Sequence, residues 1–316
     1  MKSKKVSIVI SFYNEQSNID KLFEELYKVE LSLKNRVEFE YICVNDGSSD
    51  GTLMKLKSLM DRHHNLKIYN LFRNFGHEVA MSAGMDHASG DCVIFMDGDL
   101  QHPPELVKTM LKAWLDEGYK VVLTKKINNG SDKSWLYRFL SSTFYHILNR
   151  LSDIQIPKDF PDFRLLDREY VEQIKTIGET DRMFRGLLNF IGCSNFKLLE
   201  FEVPKRYSGE SKYSFKKSFG LAMDSIMQFS TKPLRSAAYL GLLSALICVV
   251  LALFTVVEYL FFDATRTGYA TTLIVIIFMG SIQLIILGII GEYIGKIHIE
   301  VKRRPLYFGE LIESKN

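Results

Sequence analysis

Two aspartates flank a glycine at Asp97-Gly98-Asp99, directly after the apolar run Val93–Met96. A strand that ends in a bend can turn both carboxylates toward one hard cation. Hard divalent ions take oxygen ligands, and Mg²⁺ typically keeps one or two protein carboxylates plus substrate phosphates. A cation held there would neutralise the diphosphate of a nucleotide leaving group. A D-x-D pair alone is common, but a second acidic loop, Asp46–Asp50, follows another apolar run, Glu40–Asn45. Other chemistries lack their signatures. The chain has no G-x-G and no G-x-x-x-x-G-K-[ST], so a dinucleotide fingerprint and a P-loop are absent. His63-His64 lies at a helix end and reads as solvated rather than as a metal site.

The elements that would position these groups alternate. Val6–Ser11, Glu40–Asn45, Leu66–Leu71, Cys92–Met96 and Val121–Thr124 read as strands. Ile19–Leu33, Leu53–Arg62 and Val79–Ala88 read as helices, and Pro103-Pro104 is expected to open another in its first turn. Near-continuous apolar strands alternating with helices predict an α/β domain with a mostly parallel, Rossmann-like sheet. Such sheets bind ligands at the carboxyl ends of their strands. The polar clusters Asn14-Glu15, Asp46, Arg73-Asn74 and Asp97-Asp99 all fall there. Trp135–Leu151 is amphipathic and reads as packing on this core. Ser214–Ser230 is also amphipathic, and either lies in a membrane interface or packs on the core.

The 316 residues carry 40 basic and 37 acidic side chains, a net charge of +3, and the mean hydropathy is zero. That balance excludes a disordered chain and gives no sign of nucleic-acid binding. The average hides a segregation. Between 237 and 291 only Glu258, Asp263 and Arg266 are charged. Ala237–Val257 and Thr267–Gly291 are charge-free for 21 and 25 residues, enough for a helix to cross a hydrocarbon core of about 30 Å. Lys232 and Arg235 precede the first run, and Lys296, Lys302, Arg303 and Arg304 follow the second. The positive-inside rule then predicts cytoplasmic termini, a short external loop and a multi-pass protein of the cytoplasmic (inner) membrane. Met1–Lys5 leads straight into a strand, so no signal peptide is expected. Cys43, Cys92, Cys193 and Cys248 are widely spaced and read as reduced, buried side chains. Gly291 and Gly295 form a GxxxG that could mark contact between the spans or between subunits.

The motifs SFYNE at 11–15, VNDGSSDGT at 44–52, RNFG at 73–76 and DGDLQHPPE at 97–105 resemble family-2 glycosyltransferases of the GT-A fold. DFRLLDR at 162–168, RYSGESKYS at 206–214, KPLR at 232–235, the two spans and GEYIGKIHIEVKRRPLY at 291–307 resemble the polyprenyl-phosphate subgroup. That subgroup includes dolichol-phosphate mannose synthases and, nearer to this sequence, GtrB-type bactoprenol glucosyltransferases. The resemblance covers nearly the whole chain, in order. It implies a catalytic domain over 1–213, a juxtamembrane amphipathic helix over 214–235, two membrane helices over 236–295 and a cytoplasmic tail over 296–316. It also implies site roles. Tyr13, Asn14, Glu15 and Asp46 would line the nucleotide, with Arg73 supporting them. Asp97, Asp99 and Gln101 would hold Mg²⁺ or Mn²⁺, with Asp97 and Gly98 near the donor sugar. Asp162 and Arg164 would lie at the transfer centre, and Arg206, Ser211 and Lys212 would contact phosphates. Gly98 stands where an alanine is usual, a small-for-small change, and Lys125-Lys126 stands where many relatives carry arginine. The resemblance further implies a homo-oligomer, a tetramer in this subgroup.

The implied reaction is inverting transfer of one sugar from a nucleoside-diphosphate sugar to a polyprenyl phosphate such as undecaprenyl phosphate. UDP-glucose is the default donor and GDP-mannose the alternative. An acceptor phosphate with a second pKa near 6 is largely dianionic at neutral pH, so no strong base is needed. Bringing two anions together requires cations and orientation. Lys125, Lys126, Arg138, Arg206 and Lys212 are candidates for the acceptor phosphate, and Asp162 is expected to orient it. A non-catalytic membrane scaffold for a flippase or polymerase is the competing class, and the two acidic clusters argue against it. A processive synthase would carry Q-x-x-R-W, which neither Trp114 nor Trp135 provides.

Overall fold

The computed structural model describes residues 3–127, 160–179, 192, 195–202, 230–262 and 268–313. They fall into two compact units, one built around a sheet and one around a helix pair. The first contains β1 (Lys4–Phe12), α1 (Ile19–Leu33), β2 (Val37–Asn45), α2 (Thr52–Met60), β3 (Leu66–Leu71), α3 (His77–His87), β4 (Cys92–Asp97), α4 (Leu106–Leu115), β5 (Val121–Ile127), β6 (Arg164–Asp167), α5 (Arg168–Thr176), β7 (Phe196–Glu202) and, from the chain's end, β8 (Gly309–Ile312). The strand order is β7-β5-β6-β4-β1-β2-β3-β8. Strands β1 to β4 are mutually parallel, β7 is parallel to β5, and β6 and β8 run antiparallel to their neighbours.

Alternation along each strand sends side chains to two cores. Ile8, Ile10, Tyr41 and Ile94 join α1, α2 and α4 on one face. Val9, Ile42, Val44, Val93 and Phe95 join α3 and α5 on the other. Burial on both faces is why these strands read as continuous apolar runs. Helix α3 lies hard against the sheet at Gly84, where a Cβ would come within 2.2 Å of Val9 Cγ1. Strand order reverses at β1, with β2 and β3 on one side and β4 on the other, and this places a topological switch point, where such sheets form a ligand crevice, at Ser11 opposite Asp97.

The mostly parallel α/β sheet agrees with the sequence reading. The differences lie in short pieces. Pro103 and Pro104 do not open a helix. They form the turn before α4, which starts at Leu106, with Leu106 N–H and Val107 N–H donating to the two proline carbonyls. Strands β6, β7 and β8 were not anticipated. The segment read as a tail contains the end of the last helix and an eighth strand. Trp135–Leu151 and all of Ser214–Ser230 but Ser230 lie outside the described residues.

In the second unit, α6 (Lys232–Phe262) and α7 (Tyr269–Val301) are each long and apolar enough to cross a membrane. Ser244 and Ile282 are buried between them, and Cys248 Sγ lies 3.4 Å from Met279 Sδ. A Cβ at Gly241 would sit 3.6 Å from Ile286 Cδ1, whereas among the described residues nothing lies within 4 Å of a Cβ at Gly291 or Gly295. Among the described residues the GxxxG pair therefore makes no close contact with α6.

One buried charge holds the lower half of the sheet. Glu40 accepts from Ser7 Oγ at 2.7 Å, Ser89 N–H at 3.0 Å, Ser89 Oγ at 2.9 Å and Lys5 Nζ at 3.2 Å. Burial pushes its pKa up, but these donors and the Lys5 charge outweigh burial and hold it below the ordinary 4.5. A carboxyl lowered in the folded state stabilises above its unfolded pKa, and that contribution disappears as pH falls through its folded value. Glu40→Gln is expected to cost about 2–3 kcal/mol at pH 7. Denaturant unfolding at pH 7 and pH 3.5 checks this, since the gap between wild type and variant should close at the lower pH.

Candidate active site

Four strand ends and one antiparallel strand build the site. The loop after β1 is tied to the loop after β2. Asn14, at φ 56°, donates its N–H to Ser48 Oγ at 3.0 Å and accepts from Ser49 N–H at 2.8 Å, while Glu15 N–H donates to Thr52 Oγ1 at 3.0 Å. The loop after β2 is tied in turn to the loop after β3. The buried Asp46 carboxylate accepts from Asn74 Nδ2 at 3.0 Å, Phe75 N–H at 2.7 Å and Gly76 N–H at 3.1 Å. Burial raises the Asp46 pKa, and the Phe75 and Gly76 amides only partly offset it. Gly47 has φ 61°, and a Cβ there would lie 2.2 Å from the Arg73 carbonyl carbon, so the two loops touch through backbone. Asn14 and Asp46 thus brace loops, whereas Tyr13 and Arg73 are exposed, with the Arg73 guanidinium 4.0 Å above the Phe75 ring.

At the end of β4, Gly98 N–H donates to Ser11 O at 3.1 Å and Asp97 N–H to His102 Nδ1 at 3.0 Å. An accepting Nδ1 puts the proton of neutral His102 on Nε2, and burial, foremost, keeps this ring from charging. Leu100, at φ 63°, lets the chain double back so that Gln101 N–H caps Asp99 Oδ1 at 3.0 Å. Sequence reading missed His77, the first residue of α3. Its Nδ1 lies 3.0 Å from Ser11 Oγ, and its Nε2 lies 3.5 Å from Asp97 Oδ1 and 3.6 Å from Asp162 Oδ2. Burial lowers its pKa, but Asp97 and Asp162 together outweigh that and raise it to about 10. Its signal was positional only: it follows RNFG, where Gly76 at φ 99° turns the chain into the helix.

Strand β6 pairs Arg164 with Phe95 and so delivers Asp162 beside Asp97. Asp162 and Arg164 form a buried ion pair, each only 3% exposed. Phe163 stacks on His102 with centroids 4.9 Å apart. Lys126 on β5 is half-buried, and its charge helps keep His102 neutral, whereas Lys125 is tied to Glu200 at 2.8 Å. Arg138, Arg206, Ser211 and Lys212 lie outside the described residues.

The donors here fit a hard cation that takes its remaining ligands from substrate. Asp97 Oδ1 is buried and makes no hydrogen bond among the described residues, and Asp99 lies two residues away on the same bend. Among the described residues, no three His, Cys, Asp or Glu side chains form a complete cage. Two carboxylates and an amide, completed by phosphate oxygens and water, match Mg²⁺-type chemistry.

Gly98 has less freedom than a small-for-small exchange implies. A Cβ there would lie 2.4 Å from Phe12 Cδ1 and 3.1 Å from Ser11 O, and Phe12 is fully buried. Gly98→Ala is expected to destabilise by about 1–3 kcal/mol through overpacking. Chemical unfolding checks it, and Phe12→Leu should recover part of the loss.

Comparisons with known proteins give the family and the fold. A model described as glycosyl transferase family 2 matches residues 7–175, and one described as the GtrB C-terminal hairpin matches 232–297. The chain is 41% identical over 303 residues to an uncharacterized glycosyltransferase of Synechocystis, covering 96% of this chain and 93% of that one. It is 37% identical over 303 residues to the SfII prophage-derived bactoprenol glucosyl transferase of Shigella flexneri, covering 96% of both. Among solved structures, mannosyl-3-phosphoglycerate synthase from Rubrobacter xylanophilus shares the fold, with a TM-score of 0.50 and 16% identity over 75% of each chain.

Proposed function

The chain belongs to glycosyl transferase family 2, and from that premise we propose that it moves one sugar from a nucleoside-diphosphate sugar to a polyprenyl phosphate at a membrane surface. The observation that carries the acceptor is the end-to-end likeness to the Shigella bactoprenol glucosyl transferase, which includes the C-terminal hairpin. The same likeness makes UDP-glucose the default donor. A divalent cation bound by Asp97, Asp99 and Gln101 would supply neutralisation of the departing diphosphate.

This chain's own residues do the rest. Tyr13 and Arg73 are exposed at the donor loops, and Asp46 and Asn14 hold those loops in shape. Lys126 offers a cation to phosphate. The acceptor phosphate arrives largely dianionic, so Asp162 need not take a proton from it. Its pairing with Arg164 and its proximity to His77 support an orienting role. Attack from the face opposite the diphosphate inverts the anomeric centre. A polyprenyl tail stays in the bilayer, which gives α6 and α7 their purpose, and the basic flanks support a cytoplasmic catalytic side.

The test is a panel of nucleotide sugars incubated with the membrane-reconstituted enzyme and undecaprenyl phosphate, with the lipid product weighed. A single added hexose from UDP-glucose is expected. No lipid product with any donor would overturn the reading, and a product carrying several sugars would point to a processive synthase.

A further inference from the structure

Residues 306–312 return to the sheet after the last membrane helix and line β3 up to the start of the β3–α3 loop, with a second contact at the C-terminal end of α3. On the strand side, β8 pairs antiparallel with β3 from Ile68↔Ile312 to Leu71↔Gly309, and Phe72 N–H donates to Phe308 O at 3.0 Å. That is the last backbone bond before Arg73. A side-chain relay crosses three strands at the same level: Asn45 Nδ2 donates to Asn70 Oδ1 at 2.8 Å, and Asn70 Nδ2 to Glu310 Oε1 at 3.1 Å. Asn45 immediately precedes Asp46. On the helix side, Tyr307 Oη donates to Asp86 Oδ2 on α3 at 2.9 Å, and its ring meets Tyr69 edge-on at 5.5 Å.

We propose that this C-terminal segment is a positioning element for the nucleotide-donor site, holding Phe72–Gly76 at the height where Asp46 and Arg73 meet. The inference rests on the donor reading given above. A loop anchored at its β3 end presents Arg73 partly ordered, so donor binding avoids part of the entropy cost of fixing it. The segment touches neither Asp97 nor Asp162 in the described contacts, so its effect should fall on donor affinity rather than on the chemical step. The fit is close: a Cβ at Gly309 would lie 2.5 Å from Asn70 O, so a larger residue must displace β8.

The experiment ends the otherwise full chain after Pro305 and measures donor kinetics in a membrane-reconstituted preparation. The donor KM is expected to rise about tenfold with kcat within twofold of wild type, and a peptide of residues 306–316 added in trans should restore it. A merely structural loss would lower the active fraction, and hence apparent kcat, with KM unmoved. A folded truncated enzyme with wild-type donor KM overturns the proposal. Should the truncated chain fail to fold, Gly309→Val decides. Faster hydrogen exchange across Leu71–Gly76 with a raised KM supports the proposal; faster exchange with an unchanged KM, or unchanged exchange, overturns it. A wild-type enzyme that binds no nucleotide sugar would instead remove the donor reading itself.

Discussion

The Asp99→Asn enzyme is expected to fold with the wild-type unfolding midpoint and to turn over about 10³-fold more slowly, the scale for losing one preorganised electrostatic group. Asparagine keeps the size of the side chain and an Oδ1 that can accept the Gln101 N–H, so the bend at Leu100 survives. What disappears is one of the two negative charges on the bend proposed to hold the cation beside the leaving diphosphate. Two readouts separate charge from shape. Turnover should collapse at saturating donor. The dependence of nucleotide binding on added Mg²⁺ or Mn²⁺ should also fall away. Unchanged turnover would sink the assignment of this loop to catalysis.

The second large effect is on stability. Asp162→Ala is expected to cost about 3–5 kcal/mol, because it leaves the Arg164 guanidinium buried without its carboxylate. Arg164 also donates Nη2 to Pro161 O at 3.3 Å, which does not replace the carboxylate charge. Replacing both partners, Asp162→Asn with Arg164→Met, should recover most of the loss, since the stranded charge is then gone. Unfolding of the two single variants and the double variant measures the coupling, and a loss below about 1 kcal/mol for Asp162→Ala would contradict the buried-pair assignment. The Asp162→Asn enzyme also tests the role of the residue in transfer. An orienting carboxylate predicts lower turnover with the shape of the pH profile retained. A base predicts loss of the acidic limb.

Much of the candidate site was legible in the chain because its signals are local. Asp97 and Asp99 sit two residues apart at the end of an apolar run, and strand geometry alone puts that end at the ligand edge of a parallel sheet. Asp46 follows β2 for the same reason. Their roles divided only in three dimensions: Asp97 Oδ1 makes no hydrogen bond among the described residues and faces the His77 ring, whereas Asp46 spends its carboxylate on the amides of the neighbouring loop. Gly98 illustrates the limit from the other side. Beside Asp97 it reads as one small residue standing for another, and only the Phe12 ring packed against it turns that exchange into a collision.

By itself the sequence determined the alternating α/β order, the two acidic strand ends and the two apolar helices. Each is written as a period or a run within a single element. Tertiary structure decided what depends on distant partners. Strand β6 is four residues long, too short for a distinctive pattern, yet its antiparallel insertion between β4 and β5 brings Asp162 and Arg164 to Asp97. His77 joins them from a helix start, through a bond to Ser11 that spans 66 residues of chain. Strand β8 closes the far edge of the sheet more than 230 residues after β3. In each case the stabilising contact is made with another element, so no local spacing in the chain could announce it.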